Sequence, residues 1–214
     1  MKTYFVDNNS NDIIVLFCGW GLDDKPFGCS VGDKTDVLFV YDYSTLDFSF
    51  DFSKYRKKYL IAFSYGVFIS AFVQDKLPSF AKKIAINGTL KPIDKEFGIS
   101  PKIFDLTLSG VSAEGMKRFY SKMFSNNLDY DYFLENLPDR TPENCKIELE
   151  KIKEYALSAG DLSFDFDKVL ISDFDKIIPT KNQIAFWNRK DYYAVEGGHF
   201  PFYMFRSLDR IVSL

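Results

Sequence analysis

The sequence predicts an α/β fold in which a mostly parallel sheet carries helices on both faces. Short apolar runs rich in β-branched and aromatic residues are typical of buried strands. Five such runs lie at residues 13–18, 37–41, 59–63, 84–86 and 169–172. Helical or loop stretches separate them, and this alternation favours parallel pairing of the strands. With 214 residues, the chain is long enough to bury the core of one such domain.

The first helix is expected directly after the third apolar run. Residues 64–77, SYGVFISAFVQDKL, are apolar on almost every side, as in a helix that packs on a sheet. The fourth and fifth runs enclose a long stretch with helical patterns and no strand-like runs. A helix is expected there over 113–124 with Ser112 as its N-cap, and another after the N-cap Thr141 with Pro142 in its first position. The predicted boundaries are residues 1–98 and 161–214 for the α/β core and 99–160 for a helical insertion.

Composition and charge argue against several classes of protein. The formal net charge is -3, and no basic cluster is longer than the one at 54–58, so we expect no nucleic-acid partner. No window reaches the roughly 18 apolar residues that a membrane span needs. We therefore expect a cytoplasmic protein without a membrane segment.

Cysteine usage argues against a disulfide framework and against a zinc site. The three cysteines, Cys18, Cys29 and Cys145, are odd in number and form no C-x-x-C pair. We expect all three to be buried, reduced thiols.

Two serines are candidates for a nucleophile. Ser30 lies in GCSVG, residues 28–32, which matches the pattern G-x-S-x-G, whereas Ser64 lies in AFSYG, with Ala62 at the first glycine position. The chemistry requires a strand that delivers the serine and a helix that leaves at once, so that the turn holds the hydroxyl out. Only Ser64 has both. We predict that Ser64 is the nucleophile and that GCSVG is a turn.

A glycine-rich turn is a candidate for binding an oxyanion. The motif LFCGWG, residues 16–21, is a strand that ends in Gly-Trp-Gly. Such a turn can direct a backbone N–H at a tetrahedral intermediate, while the residue after the nucleophile supplies a second N–H. The predicted donors are the amides of Trp20 and Tyr65.

Candidates for a histidine base and for the acid that orients it follow later in the chain. The motif VLISDFDKIIP, residues 169–179, places carboxylates just past a strand, and spacing favours Asp175, with Asp173 as the alternative. His199, in EGGHFPF, is the only histidine, so a base working near neutral pH has to be this residue. The order nucleophile, acid, base is the order of α/β hydrolases.

The combination of LFCGWG, AFSYGV, IAINGTLKPID, ISDFDKIIP and EGGHFPF resembles the compact pimeloyl-[acyl-carrier protein] methyl ester esterases of biotin synthesis. The resemblance covers essentially the whole chain, and Ala62 is its one departure at the nucleophile motif. It implies an α/β-hydrolase fold with a helical lid, and a triad of Ser64, His199 and Asp175. It also implies hydrolysis of the methyl ester of pimeloyl-carrier protein, with no metal and no cofactor.

The resemblance also implies roles for the helical insertion. As a lid it would cover a slot for the acyl chain, with aromatic residues such as Phe119 or Tyr120 on the walls and the Trp20 side chain closing it. An acyl-carrier protein is acidic, so a basic docking patch is expected. The proposed patch consists of Lys117, Arg118, Lys122 and Arg140. Acidic residues outnumber basic ones across 112–158, so the patch rests mainly on the resemblance.

Two alternative functions stay open at this point. Another serine hydrolase, such as an acyl thioesterase or a short-chain carboxylesterase, would use the same residues. A non-catalytic interaction module on the same fold would keep the turns but would not need the nucleophile, acid and base together.

Overall fold

A computed structural model describes residues 1–188 and 190–214. Its strands are β1 (Lys2–Val6), β2 (Asp12–Phe17), β3 (Asp36–Tyr41), β4 (Lys57–Phe63), β5 (Lys82–Ile86), β6 (Lys168–Ser172) and β7 (Tyr193–Val195). Within the described residues these strands form one sheet in the order β1-β3-β2-β4-β5-β6-β7. β1 pairs antiparallel with β3, and every other neighbouring pair is parallel. The predicted α/β fold with a mostly parallel sheet is confirmed.

The helices alternate with the strands and also fill a long stretch between β5 and β6. They are α1 (Tyr65–Phe72), α2 (Pro101–Ser109), α3 (Ala113–Lys122), α4 (Asn127–Glu135), α5 (Pro142–Ser158), α6 (Thr180–Phe186), α7 (Phe202–Phe205) and α8 (Leu208–Ser213). Two short 3₁₀ helices cover Lys25–Ser30 and Gln74–Lys76. In the described part of the chain, no helix has the length and apolar character needed to cross a membrane.

The five central strands contain the predicted apolar runs, and most of their residues are buried. The apolar residues of β2, for example, are all at most 1% exposed, as expected for parallel strands covered on both faces. The sequence reading missed β1 and β7. The first three residues of β1 are exposed, and β7 has only three residues, of which two are exposed. Edge strands of this kind carry no continuous apolar run, so the pattern did not reveal them.

The helical insertion contains α2 to α5, and among its residues from 100 to 160, all of them described, there is no strand. Both predicted N-caps are present. The Ser112 hydroxyl accepts the Gly115 N–H at 3.1 Å, and the Thr141 hydroxyl accepts the Asn144 N–H at 3.2 Å. Pro142 follows in the first turn of α5, where its missing N–H costs no hydrogen bond.

Aromatic side chains pack together between the end of the sheet and α7. Phe63, the last residue of β4, makes an edge-to-face contact with Phe202 at 5.1 Å between ring centroids. Phe27 contacts Phe200 at 5.1 Å and Phe202 at 4.8 Å. Such pairs contribute about 0.5–1.5 kcal/mol each beyond the burial of area. The cluster fixes the segment that contains His199 against the strand that ends before Ser64.

The structure corrects two expectations about small side chains. The GCSVG segment is not a simple turn, because its first three residues end the 3₁₀ helix, and Ser30 is fully buried with its hydroxyl bonded to the Phe202 carbonyl at 3.3 Å. Cys18 and Cys145 are buried free thiols, but Cys29 is exposed. The prediction of three buried thiols is therefore wrong for Cys29, which lies on the outer side of the 3₁₀ helix.

Candidate active site

Ser64 lies on a sharp turn between β4 and α1. Its backbone has a φ of 56° and a ψ of -123°, a combination that costs a non-glycine residue about 1–3 kcal/mol. The Ser64 N–H donates to the Ile86 carbonyl of the neighbouring strand at 2.9 Å, which holds the turn in place. A Cβ at Gly66 would overlap the carbonyl oxygen of Phe17, so only glycine allows α1 to leave this close to β2. This local structure is that of a nucleophile elbow.

Ala62 occupies the position at which the G-x-S-x-G pattern has its first glycine. It is completely buried within β4, where it is in register with Phe17 on one side and Ala85 on the other. Its methyl group is therefore accommodated within the sheet, and the elbow keeps its geometry without the first glycine.

Three buried polar side chains meet beside the elbow. The Ser64 Oγ lies 2.9 Å from His199 Nε2, and His199 Nδ1 lies 2.7 Å from Asp175 Oδ2. Their residues are 4%, 1% and 7% exposed, in the order Ser64, His199, Asp175. With the proton on Nδ1 donated to Asp175, Nε2 is left to accept the serine hydroxyl. The arrangement can therefore transfer a proton from the serine to the imidazole.

The carboxylate of Asp175 is oriented by further hydrogen bonds. Its Oδ1 accepts the N–H groups of Ile177 at 2.8 Å and Ile178 at 3.0 Å, and its Oδ2 accepts the Gln183 side-chain amide at 2.8 Å. The alternative acid, Asp173, is exposed and accepts the Gly197 N–H at 2.8 Å instead. The structure thus brings Asp175, and not Asp173, to the histidine. Within the described residues, no three His, Cys, Asp or Glu side chains cluster closely enough to hold a metal ion.

Asn87 anchors the histidine loop, and the sequence reading gave it no role. Its side-chain amide donates to the His199 carbonyl and to the Ser172 hydroxyl, each at 2.8 Å, and its Oδ1 accepts the Ser172 N–H at 2.8 Å. The residue is 1% exposed and has a φ of 47°, which asparagine tolerates better than most residues. A signal was available, because Asn87 begins the NGT motif that directly follows a predicted strand.

The turn that follows β2 packs directly against the elbow. A Cβ built on Gly19 would lie 3.2 Å from the Cβ of Ser64. The backbone N–H of Trp20 donates to no other described residue. Tyr65 is the first residue of α1, so its N–H has no acceptor inside the helix. Both amides are therefore available as hydrogen-bond donors beside Ser64.

A cavity of about 260 Å³ adjoins this turn, slightly below the usual range of roughly 300–1,000 Å³ for ligand pockets. Trp20 and Tyr65 line it on the core side. Most of its remaining lining is apolar and comes from the helical insertion, with Ile103, Phe104, Met116, Phe119 and Leu149 among the residues involved. Of the described residues, Phe119 belongs to the lining and Tyr120 does not, contrary to the expectation for Tyr120. The Tyr120 hydroxyl instead donates to the Gly21 carbonyl at 2.7 Å.

Charged residues complete the lining of the cavity. Arg118 and Lys122 of α3 and Lys176, one residue past Asp175, all contribute and are all exposed. The motif of that loop predicts a role only for its acids, so the position of Lys176 comes from the structure alone. Lys117 is exposed on the same helix.

The predicted docking role of Arg140 is wrong. Its side chain is only 2% exposed, and its Nη2 lies 3.1 Å from Glu148 Oε2 and 3.4 Å from Asp42 Oδ1. A guanidinium buried in this way cannot contact a partner on the surface.

A strained serine elbow at the carboxyl end of a parallel strand, with a histidine and an acid that follow it in the chain, makes this molecule an α/β hydrolase. The esterase from Exiguobacterium antarcticum has the same fold, with a TM-score of 0.65 at 12% identity over 99% of this chain and 91% of that one. The chain itself belongs to the family of pimeloyl-ACP methyl esterase BioG, whose model matches residues 1–211. The resemblance seen in the motifs is confirmed.

Two further comparisons describe the relation to this family. The crystal structure of BioG from Haemophilus influenzae superposes with a TM-score of 0.90 at 28% identity, over 98% of both chains. The malonyl-[acyl-carrier protein] O-methyltransferase of Bacteroides fragilis is 34% identical over 88% of this chain but over only 39% of its own length. This chain therefore spans about two fifths of the Bacteroides protein.

Proposed function

We propose that the protein is a serine carboxylesterase that hydrolyses the methyl ester of pimeloyl-acyl-carrier protein in biotin synthesis. The observation that carries the proposal is the buried hydrogen-bonded series of Ser64, His199 and Asp175, at 2.9 Å and 2.7 Å, on a nucleophile elbow. Membership of the BioG family supports the methyl ester of pimeloyl-carrier protein as the substrate.

In the first half of the reaction, the Ser64 Oγ attacks the ester carbonyl while His199 Nε2 takes the hydroxyl proton. Asp175 holds the imidazole in the required tautomer and stabilises the imidazolium that forms. The amides of Trp20 and Tyr65 donate to the oxyanion of the tetrahedral intermediate. Collapse of that intermediate breaks the bond to the methoxy group, which leaves as methanol with the proton from His199.

In the second half, water attacks the acyl-enzyme and His199 takes one of its protons. The second tetrahedral intermediate collapses with Ser64 as the leaving group, and His199 returns the proton to the serine hydroxyl. The product is the free carboxylate at the far end of the pimeloyl chain. Every proton in this scheme is moved by side chains that are already hydrogen-bonded in the structure.

The cavity suits a substrate whose reacting ester lies far from the carrier. The acyl chain has to run from Ser64 to the surface, and the apolar lining next to Trp20 and Tyr65 is suited to its methylene groups. Three cations of the lining, Arg118, Lys122 and Lys176, are exposed, which favours an acidic carrier protein outside. Here the helical insertion serves as the lid, and Lys117, Arg118 and Lys122 are the proposed carrier contacts.

The Bacteroides relative offers chemical support for a carrier-linked methyl ester. Its name describes methyl transfer to an oxygen of a malonyl group on the carrier protein. That transfer forms the kind of bond that the proposed reaction breaks. The cytoplasmic location stays a prediction from the sequence.

The decisive experiment measures release of methanol from the methyl ester of pimeloyl-carrier protein by the wild type, Ser64→Ala and Ser30→Ala. We expect Ser64→Ala to lose on the order of 10⁶ in kcat, as removal of a triad nucleophile does. Ser30→Ala is the matched control at the motif that fits the letters G-x-S-x-G, and it should keep its activity.

The possible outcomes test the nucleophile and the substrate separately. If the wild type does not hydrolyse this ester while a fluorophosphonate still labels Ser64, the assignment of the nucleophile is supported and the proposed substrate is wrong. Thioester hydrolysis of pimeloyl-carrier protein would then identify a thioesterase, and turnover of short free esters only would identify a general carboxylesterase. Absence of both labelling and turnover would leave the non-catalytic module.

A further inference from the structure

A buried carboxylate of the helical insertion lies directly behind the turn that follows β2. Glu148, on α5, is 0% exposed. Its Oε2 accepts the Gly21 N–H at 3.2 Å, and its Oε1 accepts the Tyr43 N–H at 3.1 Å. The side chain thus connects α5 with two loops of the α/β core, one of which contains Trp20.

Other residues of the insertion bind the same turn. The Trp20 indole N–H donates to the Cys145 carbonyl at 2.7 Å, and the Tyr120 hydroxyl donates to the Gly21 carbonyl at 2.7 Å. Together with Glu148, these bonds fix the N–H and the C=O of Gly21 and the ring of Trp20. Gly21 has a φ of 73°, which glycine adopts readily. Because glycine also adopts many other conformations, these hydrogen bonds restrict the turn to this one.

The burial of Glu148 needs a compensating benefit. Moving a carboxylate out of water costs several kcal/mol even after the protein relaxes, and burial raises the pKa of Glu148 while Arg140 opposes that rise. The Arg140 Nη2 lies 3.1 Å from Glu148 Oε2, and its Nη1 donates to the Leu22 carbonyl at 3.1 Å. A charged acceptor forms stronger hydrogen bonds with backbone N–H groups than a neutral one does. The free-energy cost of removing this ion pair from water is therefore offset by stronger hydrogen bonds to the backbone of the turn.

We propose that Glu148, supported by Tyr120, is a positioning residue that holds the turn so that the Trp20 N–H points at the oxyanion formed on Ser64. The inference rests on the proposed function and adds that the oxyanion site is incomplete without α5. Glu148 is not among the residues that line the cavity, and its hydrogen bonds go to Gly21, Tyr43 and Arg140 rather than to Ser64, so it acts through the backbone of the turn.

Glu148→Gln tests this role with little change of shape. Glutamine keeps one carbonyl oxygen as an acceptor but has an NH₂ group in place of the second carboxylate oxygen. It also removes the negative charge that pairs with Arg140. The assay measures kcat and KM on a short methyl ester, with active enzyme counted by exhaustive fluorophosphonate labelling of Ser64. It also measures the affinity of an alkyl boronic acid, which forms a tetrahedral adduct with the serine.

We expect kcat per labelled site to fall on the order of tenfold, and KM to change less than about twofold. The affinity of the boronic acid should fall in parallel with kcat, because both depend on the oxyanion donors. Glu154→Gln is the matched control, since it makes the same change on the same helix at an exposed pair with Lys151. The control should match the wild type.

A second variant covers the case in which Glu148→Gln does not fold. Tyr120→Phe removes only the hydroxyl that binds Gly21, and it should lower kcat a few-fold with the same unchanged KM. If the folded variants keep the kcat and the boronic acid affinity of the wild type and only unfold at a lower temperature, the residues are structural and the inference is wrong. If the wild type itself neither turns over esters nor is labelled, the proposed function fails, and this inference fails with it.

Discussion

The two sides of the candidate site are held in place by different parts of the chain. Ser64, His199 and Asp175 form the proton-transfer side, and the side chains that bind the His199 carbonyl and the Asp175 carboxylate come from the α/β core. Among the described residues, the insertion reaches this side only through the segment next to the histidine, where the Met123 carbonyl accepts the Phe200 N–H at 3.0 Å. Asn87 holds the carbonyl of His199, and Gln183 holds the carboxylate of Asp175. No described residue of the helical insertion donates to this series or accepts from it.

The oxyanion side depends on the insertion instead. Tyr120, Cys145 and Glu148 make the side-chain and carbonyl contacts to the turn at Trp20 and Gly21. The comparison shows that the hydrogen bonds of the nucleophile series are made within the α/β core, whereas the turn that contains the proposed donor Trp20 is held by side chains of an added segment. A change at Glu148 or Tyr120 should therefore alter the rate without disturbing the hydrogen bonds of the proton-transfer series.

A change that breaks only the proton-transfer side should have a larger effect than any change in the insertion. Asp175→Asn should lower kcat by about 10⁴, because the imidazole would adopt the wrong tautomer. Ester hydrolysis with titrated active sites measures the loss. Asp173→Asn is the matched control two residues earlier in the same loop, and it should stay close to the wild type. Equal losses in both variants would show that the loop, and not the Asp175 carboxylate, matters.

A smaller effect is expected from the outer face of the insertion. The double variant Arg118→Glu, Lys122→Glu reverses two exposed charges of the cavity lining, so the acidic carrier should bind more weakly. We expect KM for the carrier-linked ester to rise roughly tenfold and KM for a short free ester to stay unchanged.

The control for this prediction is Lys34→Glu, an exposed lysine just before β3, at the opposite end of the sheet from the site. It should affect neither substrate. Equal effects of the double variant on the free and the carrier-linked ester would contradict a docking role for α3.

The smallest effect concerns the ion-pair network behind the turn. Asp42 lies 3.0 Å from Lys2 and 3.4 Å from Arg140, and it accepts the Ser44 hydroxyl at 2.7 Å. Burial alone would raise its pKa, but the hydrogen bonds from Ser44 and Lys2 and the charge of Arg140 lower the pKa below 3.8. Because the folded-state pKa is lowered, the carboxylate stabilises the protein above pH 3.8, and this stabilisation is lost as the pH falls through the folded-state value.

Asp42→Asn should therefore lower the Tm at pH 7 by roughly 2–4 °C and should lose less stability than the wild type between pH 5 and pH 3. Thermal unfolding monitored by circular dichroism measures both. The control Asp165→Asn removes an exposed pair with Lys190 and should leave the Tm unchanged. Parallel pH curves for Asp42→Asn and the wild type would show that Asp42 is not the titrating group.

Much of the site could be predicted because its signals are local. A strand, a serine and a helix in immediate succession identified Ser64 over Ser30, and a single histidine left one candidate base. Spacing could not separate Asp173 from Asp175, because both follow the same strand. The structure separates them through the tight loop in which the N–H groups of Ile177 and Ile178 bind one carboxylate only.

The network around the turn could not be predicted for a physical reason. Charged residues are almost never fully buried unless they are paired, so the sequence assigns Glu148 on its helix and Arg140 in the preceding loop to solvent. Their partners Asp42 and Gly21 are distant in the sequence and come close only in the folded chain. For the same reason, the sequence groups Arg140 with the exposed basic residues of α3.

The hydrogen bond between Tyr43 and Glu148 also makes the attachment of α5 observable. The amide proton belongs to the core, whereas its acceptor belongs to the insertion, and both are buried. Exchange of this proton with deuterium therefore requires the two segments to separate, while amides inside the sheet stay protected until the whole domain opens. The exchange rate of a single backbone site would thus report how often the insertion detaches from the core in the native protein.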